Sequence, residues 1–68
     1  MSKYIIRTDT ILDDEGEQCV VYGIDAPDDG LSIPNIFTAK TEAAHFVSLC
    51  NFLDLSPIHL SEVIDDIL

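Results

Sequence analysis

Sixty-eight residues carry three basic and thirteen acidic side chains, a formal charge of −10 at pH 7, and 47% of them are hydrophobic. The length allows one domain, residues 1–68, near the lower limit for folding without a metal or disulfide staple. So acidic a surface repels nucleic acid and anionic membranes, and it suits a basic partner or plain solubility.

Cys19 and Cys50 are the only cysteines. They form no CxxC pair and stand at no Cys/His zinc spacing. Met1-Ser-Lys-Tyr runs straight into a strand-like stretch, without the charged and apolar segments of a secretory signal. A cytoplasmic protein with both thiols reduced is the expectation. No apolar run approaches the ~18 residues of a membrane span.

Residues 3–12 read as a strand, dense in Tyr, Ile and Thr and free of Gly and Pro. Asp13-Asp14-Glu15-Gly16 is a turn, and residues 17–26 form a second strand. With Gly16 in the left-handed conformation, a three-residue connection sets Asp13 opposite Glu17. Ile6 then opposes Ile24 and Thr8 opposes Tyr22. Tyr4, Ile6, Thr8, Thr10 and Leu12 share a face with Gln18, Val20, Tyr22, Ile24 and Ala26. A slip by one residue would set Ile6 beside Gly23 and waste the apolar set. The opposite face carries Ile5, Ile11, Cys19 and Val21, more apolar than full solvation requires. Packing of this face on a partner or a second copy is weighed there against ordinary scattered surface apolars.

Ala26-Pro27-Asp28-Asp29-Gly30 supplies a second turn. Residues 31–37 can return as a third strand, which Pro34 confines to an edge or interrupts. Thr38 is the expected N-cap of a helix over residues 39–54. Its stripe is Ala43, Phe46, Val47, Cys50 and Leu53. Leu49 and Phe52 broaden that stripe, so contact on two sides of the helix is expected.

The clearest start signal is Ser56-Pro57. The Ser56 hydroxyl can cap the first turn, and Pro57 at the first helical position loses no hydrogen bond. Leu55 and Leu60 are spaced as a hydrophobic staple across this start. Leu60, Val63, Ile64 and Ile67 then form one apolar stripe, with Glu62, Asp65 and Asp66 off it. The fold class is α+β: an antiparallel β-hairpin, or a three-stranded meander, followed by two C-terminal helices.

Val21-Tyr-Gly-Ile24, Cys50-Asn51, Ser56-Pro-Ile-His-Leu60 and the acidic end together resemble a family of short bacterial proteins of unknown function. The resemblance covers most of the chain. It implies a bacterial, cytoplasmic protein and assigns no activity or residue role.

Candidate chemistry is sparse. Cys50 with His45 or His59 offers a thiol and a base, but nothing supplies an orienting group or an oxyanion nest. Asp13-Asp14-Glu15-Gly16-Glu17 and Asp28-Asp29 lack the alternation and the distant Glu of a calcium loop, and turn chemistry accounts for them. No catalytic residue, metal ligand or cofactor is therefore assigned. The unusual feature is the last helix. Glu62, Asp65 and Asp66 crowd a helix end whose dipole is already negative, and no Lys or Arg of that helix offsets them. Lys3, Arg7 or Lys40 would have to do so from elsewhere, or a basic partner would.

The expected function is a small acidic protein-interaction module without catalysis, with a homodimer as one form of it. Its candidate partner-binding residues are Glu62, Asp65, Asp66, Ile5, Ile11 and Val21. A nucleic-acid mimic or antitoxin-like inhibitor is the alternative. Its carboxylates would need phosphate-like spacing along one face, whereas these cluster at two turns and one helix end. A small metal-binding domain or thiol enzyme is the third reading.

Overall fold

The computed structural model describes residues 3–67. Three antiparallel strands, β1 (Ile5–Leu12), β2 (Gln18–Ala26) and β3 (Leu31–Phe37), form a sheet with β2 in the centre. Two helices follow, α1 (Lys40–Phe52) and α2 (Pro57–Ile67). The fold is α+β, with the meander complete.

The hairpin has the register its turn chemistry dictates. Gly16 has φ 80°. The Asp13 N–H donates to the Glu17 carbonyl at 2.9 Å, and the Gly16 N–H donates to the Asp13 carbonyl at 3.0 Å. Ile6 pairs with Ile24 and Thr8 with Tyr22. The Asp13 side chain completes the turn, because its Oδ1 accepts the N–H groups of Glu15 and Glu17, each at 2.9 Å. The Glu17 N–H above all holds the Asp13 carboxyl below the usual aspartate range, helped by the Glu15 N–H and the Cys19 thiol. A lowered folded pKa gives stability that is present above the unfolded value, about 3.9. It is lost as pH falls through the folded value. The urea midpoint of Asp13→Asn should therefore lie below that of the unaltered protein at pH 7, and the gap should close as the pH is taken below the folded Asp13 pKa. A gap constant with pH would remove the carboxylate's charge from the account.

The return strand is less regular. Tyr22 pairs with Phe37, but Ile24 pairs with Ile33, so two residues along β2 correspond to four along β3. Pro34, Asn35 and Ile36 lie between those pairs, and Asn35 has φ 56°. The surplus forms a bulge at the proline, which has no N–H to offer the ladder. β3 is thus both an edge strand and an interrupted one. Gly23 faces the bulge: a Cβ there would lie 2.1 Å from the Ile33 carbonyl oxygen and 2.8 Å from the Pro34 Cα.

The core lies between one sheet face and the helices. Tyr4, Ile24, Ala26, Ile36, Phe46, Val47, Cys50, Leu60 and Ile64 form it, with Leu55 and Val63 packed at its margin. The Leu55–Leu60 staple and the inward stripe of α2 follow the sequence, although the side chain of Ile67 lies outside the described residues. Ser56 starts α2: its carbonyl accepts the N–H groups of His59 and Leu60, and its Oγ accepts that of Ile58 at 3.4 Å.

The first helix departs from expectation at both ends. Its cap is Ala39, with no side-chain hydrogen bond, instead of Thr38. It stops at Phe52 because Asp54 takes φ 50°. The Leu55 N–H then reaches the Cys50 carbonyl and the Asp54 N–H reaches the Asn51 carbonyl. That is a Schellman closure built on aspartate, where glycine would be the unstrained residue. Leu53 therefore leaves the inward stripe. Leu49 and Phe52 are exposed, because only one side of α1 meets the sheet.

Asn51 joins the start of the described chain to the end of α1. Its Oδ1 accepts the N–H groups of Lys3 at 2.9 Å and Tyr4 at 2.8 Å, and its Nδ2 donates to the Tyr4 carbonyl at 2.9 Å. The Tyr4 hydroxyl donates to the Leu55 carbonyl. Burial of the phenol, first of all, raises its pKa. No helix among the described residues is long and apolar enough to cross a membrane.

Candidate functional site

The surface has two unusual regions, one at the helical corner and one at the hairpin. At the corner, Thr41, His45 and Leu49 stand at i, i+4 and i+8 on the outer side of α1. With Phe37, Glu42 and Phe46 they line an open groove of about 420 Å³. The Phe37 and Phe46 rings meet at 5.5 Å and 56° at its floor, a tilted aromatic pair. Phe52, 86% exposed, and Leu53 follow Leu49 within one turn at the end of α1, and Ile58 in the first turn of α2 is 79% exposed. Large side chains so exposed and so grouped are unusual on a small soluble domain.

The apolar corner passes directly into charge. Ile58, Glu62, Asp65 and Asp66 stand at i, i+4, i+7 and i+8 along α2, and all four are exposed. Among the described residues no Lys or Arg is paired with them. Lys3 sits 3.8 Å from Asp29. Arg7 is held by Asp9 at 2.6 Å, with Asp25 at 3.9 Å. His59 Nδ1, on α2 itself, lies 3.7 Å from Glu62 Oε2. The internal compensation expected of Lys3 or Arg7 is therefore directed elsewhere in the molecule.

The hairpin's outer face divides the remaining candidates. Ile5 and Ile11 on β1 are 47% and 40% exposed. Val21 does not join them. It is 3% exposed, which removes it from the partner-binding set. It lies on the central strand, opposite Asp9 of β1. Arg7 also crosses this face, binding Asp9 and donating to Ser32 Oγ, which in turn donates to Asp25 at 2.6 Å.

The thiol reading loses its geometry. Cys50 is buried in the core, and burial pushes its pKa up, away from the thiolate a nucleophile needs. His45 and His59 are both exposed. The Asp13 carboxylate is occupied by the turn. Sequence reasoning missed the groove and the clasp made by Asn51. The one available signal was that Leu49, Phe52 and Leu53 leave α1 more apolar than a single buried stripe requires. No family model, curated protein or solved structure matches the chain.

Proposed function

We propose that this protein is a non-catalytic interaction module that binds a basic, amphipathic segment of another protein across its helical corner. The observation that carries this reading is the exposure at the helical corner of Leu49, Phe52, Leu53 and Ile58, with Ile58 on the side of α2 that carries Glu62, Asp65 and Asp66, carboxylates that no Lys or Arg among the described residues pairs. An apolar ridge on the partner would enter beside Phe37 and Leu49, while its Lys or Arg residues would meet the α2 carboxylates. This is the helix-in-groove mode, in which apolar anchors give affinity and charge governs encounter. The net charge of −10 favours the same class of partner. A cytoplasmic setting belongs to the proposal and is supported by the two free cysteines, as does membership of the short bacterial family it resembles.

The test is capture from the native cell by the intact protein, with two variants in parallel. Asp65→Lys with Asp66→Lys should slow association with the captured partner about tenfold or more at low salt and leave thermal unfolding nearly unchanged. Phe52→Ser should speed dissociation. Rising salt should slow the on-rate of the unaltered protein. An on-rate indifferent to both salt and charge reversal would refute the electrostatic part. Binding indifferent to Phe52→Ser would refute the corner.

A further inference from the structure

We infer that β1 is a self-pairing edge, and that two copies of the chain join there in one fixed register to form a continuous six-stranded sheet. The two edges of the sheet are built differently. β3 is protected as exposed edges usually are, by a proline and a bulge. β1 runs eight residues with no Pro, Gly, Lys or bulge, and its ladder to β2 is regular throughout.

The alternation along an antiparallel pair says which of its backbone groups are free. Asp13 bonds to Glu17, so Ile11, Asp9, Arg7 and Ile5 face β2 in turn. The N–H and C=O groups of Ile6, Thr8, Thr10 and Leu12 face outward. Those of Tyr4 also face outward, and there Asn51 takes both. The open stretch therefore runs from Ile6 to Leu12, and its first three outward residues, Ile6, Thr8 and Thr10, are centred on Thr8.

The side chains are self-complementary about that same residue. Ile5, Arg7, Asp9 and Ile11 share one face, and they read apolar, positive, negative, apolar. With Thr8 opposite Thr8 of a second antiparallel copy, Arg7 opposes Asp9 of that copy and Ile5 opposes Ile11. These fall at the non-hydrogen-bonded positions, where side chains come closest and cross-strand pairs count most. Ile6 with Thr10, and Thr8 with Thr8, are then the pairs that exchange backbone bonds. A shift of two residues either way sets Arg7 against Arg7 or Asp9 against Asp9. Only one register satisfies the charges, and it covers the exposed Ile5 and Ile11. The two-fold axis stands perpendicular to the sheet, so both helical layers lie on one side. The helical corner proposed to bind a partner is a different surface, so neither reading depends on the other.

Sedimentation of the full chain at micromolar concentration should give the mass of two chains, against 7.5 kDa for one. Thr8→Pro removes an N–H that faces away from β2, so it should halve the sedimenting mass while the far-ultraviolet spectrum of the fold persists. Arg7→Asp should also give the single-chain mass, and adding Asp9→Arg to it should restore the dimer. Register is read independently in a background of Cys19→Ser and Cys50→Ala. There Ile5→Cys with Ile11→Cys should form the intermolecular disulfide on mild oxidation, while Ile5→Cys alone should not. A single-chain mass for the unaltered protein would overturn the inference. So would a dimer that survives Thr8→Pro, or one in which the two introduced thiols stay reduced.

Discussion

Gly23→Ala is expected to destabilise the protein by about 3 kcal/mol or more, the upper range for overpacking at a site that cannot yield. Gly23 needs no positive φ, so conformational freedom is not the reason. The added methyl would sit 2.1 Å from the Ile33 carbonyl oxygen, 2.8 Å from the Pro34 Cα and 3.0 Å from the Ile33 carbonyl carbon. All three are backbone atoms of the bulge, and no side-chain rotation relieves them. Either β3 leaves β2 at this point or the bulge is redrawn, and both change the position of Ile36, which is part of the core. A domain of this length has only about 3–10 kcal/mol of total stability, so much of the population should be unfolded. Gly16→Ala and Gly30→Ala are the controls. An added Cβ meets nothing within 4 Å at either site, and only the strain of positive φ remains, about 1–2 kcal/mol. Urea midpoints decide it. A Gly23→Ala loss no greater than that of Gly16→Ala would show that the bulge adapts.

The second large effect belongs to Asn51→Ala, expected to cost about 2–4 kcal/mol. The side chain makes three hydrogen bonds to the backbone of Lys3 and Tyr4. Its loss leaves the N–H and C=O of a buried residue without their partner. Tyr4 itself is fully enclosed and anchors the sheet to the corner through its hydroxyl. Asn51→Asp separates donor from acceptor. The carboxylate can still accept both N–H groups, but it confronts the Tyr4 carbonyl with a second acceptor where a donor stood. It should fall between the native protein and Asn51→Ala at pH 7. Denaturant midpoints at constant slope measure both. An alanine variant within about 0.5 kcal/mol of the original, the scale of an ordinary surface substitution, would mean that water replaces the amide.

Much of this fold is legible locally. Asp13 to Gly16 carries its own register, because only one hairpin geometry uses a left-handed glycine there and also gathers Ile6 and Ile24 on one face. Ser56-Pro57 states where α2 begins in the same self-contained way. What could not be read depends on partners distant in sequence. Pro34 announces an interrupted ladder, but the size of the bulge and its reliance on Gly23 follow from the β2–β3 register. Thr38 has the better capping side chain, yet α1 begins one residue later with Ala39 as cap. Asn51 resembles any polar residue near a helix end until the first strand is laid beside it. For the site, the exposure of Glu62, Asp65 and Asp66 followed from the stripe opposite them. Val21 takes the face that alternation assigns it, yet it is buried there, because alternation tells which face a residue takes and not how far it is covered.

The clasp at Asn51 also bears on the order in which the molecule assembles. Every strand pairing in the sheet joins neighbours along the chain, so the meander closes through short, fast loops. The contacts from Lys3 and Tyr4 to Asn51 and Leu55 instead close a much longer loop, with separations of 47 to 51 residues. Closure of that span gains little until both the ribbon and the helical corner are in place. It is expected to form late, and it ties a string of local structures into one cooperative unit.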